Sequence, residues 1–184
     1  MTPTPYHVFE TALGFIGIAW NANGVRRLHL PAESRDATEQ HMLSRLREPS
    51  PTTPPAPMER IVAMIRQYAQ GHPADFSGVT LDLDGVTPLY RTIYEATRRI
   101  GWGETLTYAE LAASAGFEGK AWEVGQAMGR NPVTLIIPCH RVLAAGNRIG
   151  GFSAPGGTQT KLQMLQLEGV DPTPPAPAQQ SFNF

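Results

Sequence analysis

A single cysteine, Cys139, stands in 184 residues, which excludes an internal disulfide and any zinc site built from several cysteines. A lone thiol suits a reducing compartment, so a cytoplasmic location is expected. No apolar run approaches the roughly 18 residues that a membrane span needs. Met1 to Tyr6 carries no basic stretch leading into a long apolar one, so neither membrane attachment nor a signal peptide is expected. Excess charge is missing too: the formal net charge of -1 excludes a uniformly basic nucleic-acid coat. Seven Lys and Arg face nine Asp and Glu over positions 1–87, and eight face six over 88–170, so only the second half leans positive. There is no internal repeat. What the chain does have is 41% hydrophobic residues, enough to bury a core, and length for one large domain or two small ones.

The first third reads as sheet. Phe15 to Trp20 is rich in strand formers, Asn21 to Gly24 is a turn, and Val25 to Leu30 returns as the second arm of a hairpin. Residues 37–47 read as an exposed helix. Five prolines between Glu48 and Pro57 predict a loop. Ile61, Met64, Ile65 and Tyr68 fall on one helical face, which predicts a helix over Met58–Gln70 stopped by Gly71. Val79, Leu81 and Leu83 alternate with polar residues, as in a strand. The second half changes character. Thr87-Pro88 starts a helix whose stripe is Leu89, Ile93, Ala96 and Ile100. Thr107 to Glu110 is a capping box, so a short helix begins at Tyr108 and turns at Gly116. A third helix covers about 120–129, and the pair outlines a helix-turn-helix. Asn131-Pro132 breaks that helix, Leu135 to Ile137 forms a short apolar run, and a last helix covers about 158–167. The proline-rich tail, 171–184, is expected to be disordered.

Taken alone, Cys139 reads most simply as an inert buried small residue, and His140 as an ordinary core or surface histidine. Together they suggest chemistry. Pro138 fixes the backbone before the thiol, and His140 and Arg141 both favour thiolate over thiol. On an extended segment, adjacent side chains point to opposite sides, so His140 reaches Cys139 only if the chain bends or a water bridges them.

Asn131-Pro132 followed by Pro138-Cys139-His140-Arg141-Val142 resembles the signature of the O6-alkylguanine-DNA alkyltransferases, the methylated-DNA–protein-cysteine methyltransferase family. Gly103-Glu104-Thr105, Tyr108, Gly125, Ala127-Met128, Gly151-Phe152-Ser153 and Glu168-Gly169 follow in the same order. The resemblance implies an α+β fold: a ribonuclease-H-like sheet domain (1–85) and a helical domain (86–170) with a winged-helix-like helix-turn-helix. It implies a DNA repair protein that moves the alkyl group of O6-alkylguanine irreversibly onto Cys139, with O4-alkylthymine as a further candidate substrate. Glu168 would hold His140, which would deprotonate Cys139 through a water. Tyr108 would hydrogen-bond the base, and the carbonyls of Cys139 and Val142 would accept from its amine. Ser153 would reach the O6 edge, and Asn131 would stabilise the turn between helix and thiol. The second helix, with Trp122, Gly125, Ala127, Met128 and Arg130, would enter the minor groove of double-stranded DNA and extrude the damaged base. No metal or organic cofactor is implied, and the protein would act as a monomer.

Trp122 departs from the family, which usually has an arginine there. It either packs on the first helix of the motif or wedges into the space left by the extruded base. Losing the guanidinium also weakens phosphate attraction, which leaves open an alternative: a damage-binding relative with altered or weak duplex activity. Trp102 stands where a proline is common and reads as surface or interdomain packing. The loop from Ser153 to Gly157 also differs from that of the animal members. Two other classes compete less well. A cysteine hydrolase needs an oxyanion hole that the sequence does not offer, and a transcription regulator usually has a more basic recognition helix.

Overall fold

The computed structural model describes residues 3–172. Three strands form an antiparallel meander: β1 (Thr4–Thr11), β2 (Gly14–Asn21) and β3 (Gly24–His29). A short fourth strand, β4 (Pro49–Pro51), pairs in parallel with β1 and completes the order β3-β2-β1-β4. The proline-rich segment expected to be a loop therefore supplies an edge strand. Proline is tolerated there because an edge position need not donate on both sides. The hairpin turn depends on Gly24, whose φ is +135°; a Cβ there would lie 2.4 Å from the Thr80 carbonyl.

Two helices cover the sheet. α1 (Arg35–Leu43) is capped by Ser34, whose hydroxyl accepts from the Ala37 amide at 3.1 Å, and it starts two residues before the expected position. α2 (Ala56–Ala69) buries Ile61, Ile65 and Tyr68, as its apolar period requires. The strand expected over 79–83 is not one. Only Leu81 bridges Val25, through the Val25 amide to the Thr80 carbonyl at 3.0 Å and the Asp82 amide to the Val25 carbonyl at 2.9 Å, while the Asp82 side chain accepts from Arg26 and Asn21, each at 2.6 Å.

α3 (Pro88–Thr97) begins with the Thr87 cap. β5 (Leu106–Thr107) leads into α4 (Tyr108–Ser114), whose capping box has both reciprocal bonds in place. α5 (Ala121–Gly129) follows across a glycine-containing turn. A 3₁₀ turn at Cys139–Arg141 then enters β6 (Val142–Leu143), which pairs in parallel with β5, and α6 (Gly157–Leu167) closes the described chain. The expected tail lies mostly outside the described residues, since only its first two positions are included.

One apolar core runs through both halves, joining Ile16, Ile18 and Ile65 to Ile93, Val124, Ile137 and Met164. The backbone joins them as well: Leu28 donates to the Pro132 carbonyl at 3.1 Å and bridges Val133. A smaller cluster of Tyr6, Val8, Ala19 and Met42 lies beneath α1. The fold is thus a mixed α+β arrangement of a small sheet and helices.

Candidate active site

The chain from α5 to the thiol is held by one side chain. Asn131 accepts from the Val133 amide at 2.9 Å and donates to the Ile137 carbonyl at 2.8 Å, clamping both ends of the loop. Inside it Leu135 sits at φ +79°, a strained conformation for a branched residue. Pro138 then sets the entry to the 3₁₀ turn that carries Cys139 and His140. The backbone therefore curls here instead of extending, and the two side chains need not oppose each other.

His140 is completely buried, and its Nε2 lies 2.6 Å from Glu168 Oε1. Glu168 also receives Tyr68 Oη at 2.9 Å, Arg141 Nε at 2.9 Å, Arg141 Nη2 at 3.1 Å and the Gly103 amide at 3.3 Å. Burial alone would raise the Glu168 carboxyl, but the hydrogen bonds and charges of His140 and Arg141 outweigh it and bring it down to about 2. Burial pushes His140 below its ordinary 6.5 against the upward pull of Glu168. A neutral imidazole donating Nε2–H to this carboxylate has its lone pair on Nδ1, and Nδ1 is buried without a partner. The site thus contains a fixed base with one open acceptor. Arg141 is spent on Glu168 and on the Ile100 carbonyl, so the expectation that it favours the thiolate is replaced by a role in holding the carboxylate.

The cation beside the thiol is Lys161. It is fully buried in α6, and its Nζ donates to the Val142 carbonyl at 2.5 Å and the Gly151 carbonyl at 3.2 Å. Burial lowers it to about 8, with the Cys139 charge pulling upward. Burial likewise pushes the Cys139 thiol up, partly offset by the Asn131 amide and the Lys161 charge. The balance favours the protonated thiol. The Val142 and Cys139 carbonyls, expected to face a base amine, already accept from Lys161 and from the Val142 amide, leaving one lone pair each.

Cys139 opens on a cavity of about 240 Å³ lined by Tyr108, Gly125, Met128, Gly129, Phe152 and Ser153. Tyr108 is half-buried; burial, then the Cys139 charge, raises its phenol, which stays a proton donor at neutral pH. Gly125 has open space where a Cβ would sit. The structure thus brings Cys139, Tyr108, Gly125, Met128 and Ser153 around one hollow, with His140, Glu168 and Asn131 behind it. Arg130 is exposed at the C-terminal cap of α5. Ala127, expected on the groove-facing side, is fully buried, because Val124, Ala127 and Met128 form the core stripe of α5; its carbonyl accepts Tyr94 Oη at 2.8 Å. Trp122 is 73% exposed, so most of its ring faces outward. Trp102 meets Tyr68 edge-on at 5.4 Å, a packing role.

Three contributors were not found from sequence: Tyr68, Lys161 and the true role of Arg141. Tyr68 has the spacing of an apolar stripe residue on α2, and nothing near Lys161 in the sequence of α6 marks it. Among the described residues no group of three or more His, Cys, Asp or Glu could hold a metal ion, and no helix is long and apolar enough to cross a membrane.

A family model described as "6-O-methylguanine DNA methyltransferase, DNA binding domain" matches residues 88–170. The methylated-DNA–protein-cysteine methyltransferase of Methanothermobacter thermautotrophicus is 33% identical over 84% of this chain and 80% of its own length. That of Sulfolobus acidocaldarius is 34% identical over 90% and 94%. The Mycobacterium tuberculosis OGT crystal structure in complex with DNA superposes with a TM-score of 0.72 and 30% identity, covering 89% of this chain and 92% of that one. With the thiol, a buried imidazole and a neighbouring hollow in place, these likenesses have one meaning: the chain belongs to the methylated-DNA–protein-cysteine methyltransferase family.

Proposed function

We propose that this protein repairs alkylated DNA by taking the alkyl group from O6 of guanine onto its own Cys139. The observation that carries the reading is the buried, unpartnered Nδ1 of His140, next in sequence to the lone cysteine that lines a hollow beside the second helix of a helix-turn-helix.

The thiol proton passes to Nδ1, directly or through one water, while Glu168 holds the opposite nitrogen and supports the imidazolium. The resulting thiolate attacks the carbon attached to O6. A carbon–sulfur bond forms, the carbon–oxygen bond breaks, and its electron pair goes to the guanine ring, where the Tyr108 hydroxyl supplies a hydrogen bond or proton. Lys161 lies near enough to stabilise the thiolate before attack. The thioether has no comparable leaving group, so each chain reacts once. The same displacement extends to O4-alkylthymine.

On this reading residues 1–85 are a ribonuclease-H-like scaffold, and 86–170 are the DNA-binding, alkyl-accepting domain with a winged-helix-like motif. α5 enters the minor groove of duplex DNA, and the damaged nucleotide is extruded into the hollow. The protein works as a monomer in the cytoplasm, without metal or cofactor. Mass spectrometry after incubation with an oligonucleotide containing O6-methylguanine tests this. The expected result is one added methylene on the peptide containing Cys139, absent in Cys139→Ser. Tight binding with no mass gain would overturn it.

One observation favours a second reading. Trp122 is exposed on α5 where relatives usually carry arginine, which suits a protein that retains alkylguanine binding with altered or weak transfer in duplexes.

A further inference from the structure

A second, larger hollow of about 670 Å³ lies between the sheet half and the Ser153 loop. Its walls come from β3, the chain just past α1, the end of α5 and the segment leading into α6. Three arginines line it, Arg27, Arg45 and Arg130, with Glu33 as the one carboxylic residue of the lining. None of the three arginines forms an ion pair among the described residues. Arg27 Nε donates to the Arg45 carbonyl at 3.0 Å, which fixes that guanidinium in the wall. Arg130 lies over the Tyr90 ring at 6.0 Å. Arginines are thus collected around a concave place without carboxylate partners, at a cost in mutual repulsion that a bound anion would relieve.

The position of this cleft identifies the anion. Gly129 and Ser153 line both this cleft and the hollow containing Cys139, so the two spaces meet at those residues. A nucleotide in the smaller hollow remains tied to its strand through phosphodiesters, and that strand must leave through a neighbouring space. We propose that this cleft is a phosphodiester track, in which Arg27 and Arg45 of the N-terminal half hold the backbone of the strand whose extruded nucleotide reaches Cys139. The proposal rests on the alkyltransferase reading and adds to it a direct DNA contact by the sheet half. Its chemistry is that of guanidinium forks on phosphate oxygens, which position a strand without reading its sequence. His29, in the same wall, is held at about 4 by burial and by Arg27, His41 and Arg45, as expected where positive charge is uncompensated.

The test uses the full chain carrying Arg45→Glu, Arg27→Gln or both, with Arg60→Glu, an exposed change on α2, as the charge control. Affinity for a duplex containing O6-methylguanine is measured against salt by fluorescence anisotropy, together with reaction of Cys139 with free O6-benzylguanine, which has no phosphate. The expected result is weaker duplex binding, by roughly fivefold per guanidinium at physiological salt, and a salt slope shallower by about 0.9 for each. Reaction with the free base should stay at the wild-type rate, and Arg60→Glu should change neither. Arg45 is exposed, so its single variant folds even if changes at Arg27 do not. Unchanged affinity and slope in Arg45→Glu and in the folded double variant would overturn the track. Failure of the wild-type protein to react with free base or duplex would instead overturn the alkyltransferase reading.

Discussion

At the scale of single residues, Glu168 accepts from four residues, and two of those contacts depend on positions far away in sequence. Tyr68 reaches it across 100 positions. Replacing Tyr68 with Phe removes a hydrogen bond to a buried carboxylate and should cost about 1.5–3 kcal/mol in urea unfolding. It should also move the pH–rate profile of transfer upward, because a less stabilised carboxylate makes His140 more basic. A purely structural role would leave that profile in place. Acid should act through the same group. The Glu168 pKa is about 2 in the folded chain and 4.5 ordinarily, so its contribution to stability is complete above pH 4.5 and is lost as pH falls towards 2. The depressed His140 acts in the same direction from about pH 6.5 downward. Glu168→Gln, which leaves Arg141 buried without its partner, should be less stable by about 3–5 kcal/mol at neutral pH. The gap to wild type should narrow between pH 4.5 and 2, as measured by urea melts at each pH. Cys139 and His140 could be found from their sequence neighbours, but Tyr68 could not. Its apolar spacing on α2 concealed a hydroxyl that the fold delivers to a site formed mostly by the other half.

At the scale of elements, the parts legible in the sequence were those whose signals are local. The capping box at Thr107–Glu110 places the start of α4, and the stripe Ile61, Ile65 and Tyr68 places α2. β1 escaped notice because Pro5 and the polar His7, Glu10 and Thr11 blur its alternation, and its identity comes from pairing with β2. Residues 79–83 alternate well yet pair at one position only, since a strand needs a partner along its whole length. On α5, Ala127 is as small as a groove requires but belongs to the core stripe, which composition alone does not show. The exposed Trp122 on this helix should serve the DNA, not the fold. Trp122→Ala should change stability by less than about 0.5 kcal/mol. It should reduce transfer on duplex substrate by about tenfold or more, as expected for loss of a stacking platform. Equal transfer rates in a quench-flow comparison would reject the wedge.

At the scale of the whole molecule, the two halves are legible as a sheet segment and a helical segment, but their union is not. The apolar core, the Leu28–Val133 bridge and the Tyr68–Glu168 bond all cross between them. A fragment of residues 86–172 would expose the apolar surface that now meets Ile16, Ile18 and Ile65, and would leave Glu168 and His140 without Tyr68. It should lack the near-ultraviolet circular dichroism of a packed core, while the full chain should melt in one cooperative transition.

On the proposed mechanism, burial of the thiol, which raises its pKa, keeps the protein dormant until the His140 nitrogen takes the proton. A cysteine only 4% exposed, whose burial favours the thiol, is a poor target for peroxide, disulfides or passing electrophiles. On the proposed single-turnover reading, a chain with a buried, protonated nucleophile survives unspent until a substrate fills the hollow. The defence capacity of a cell would then follow the number of intact copies it stores, with little lost to idle chemistry.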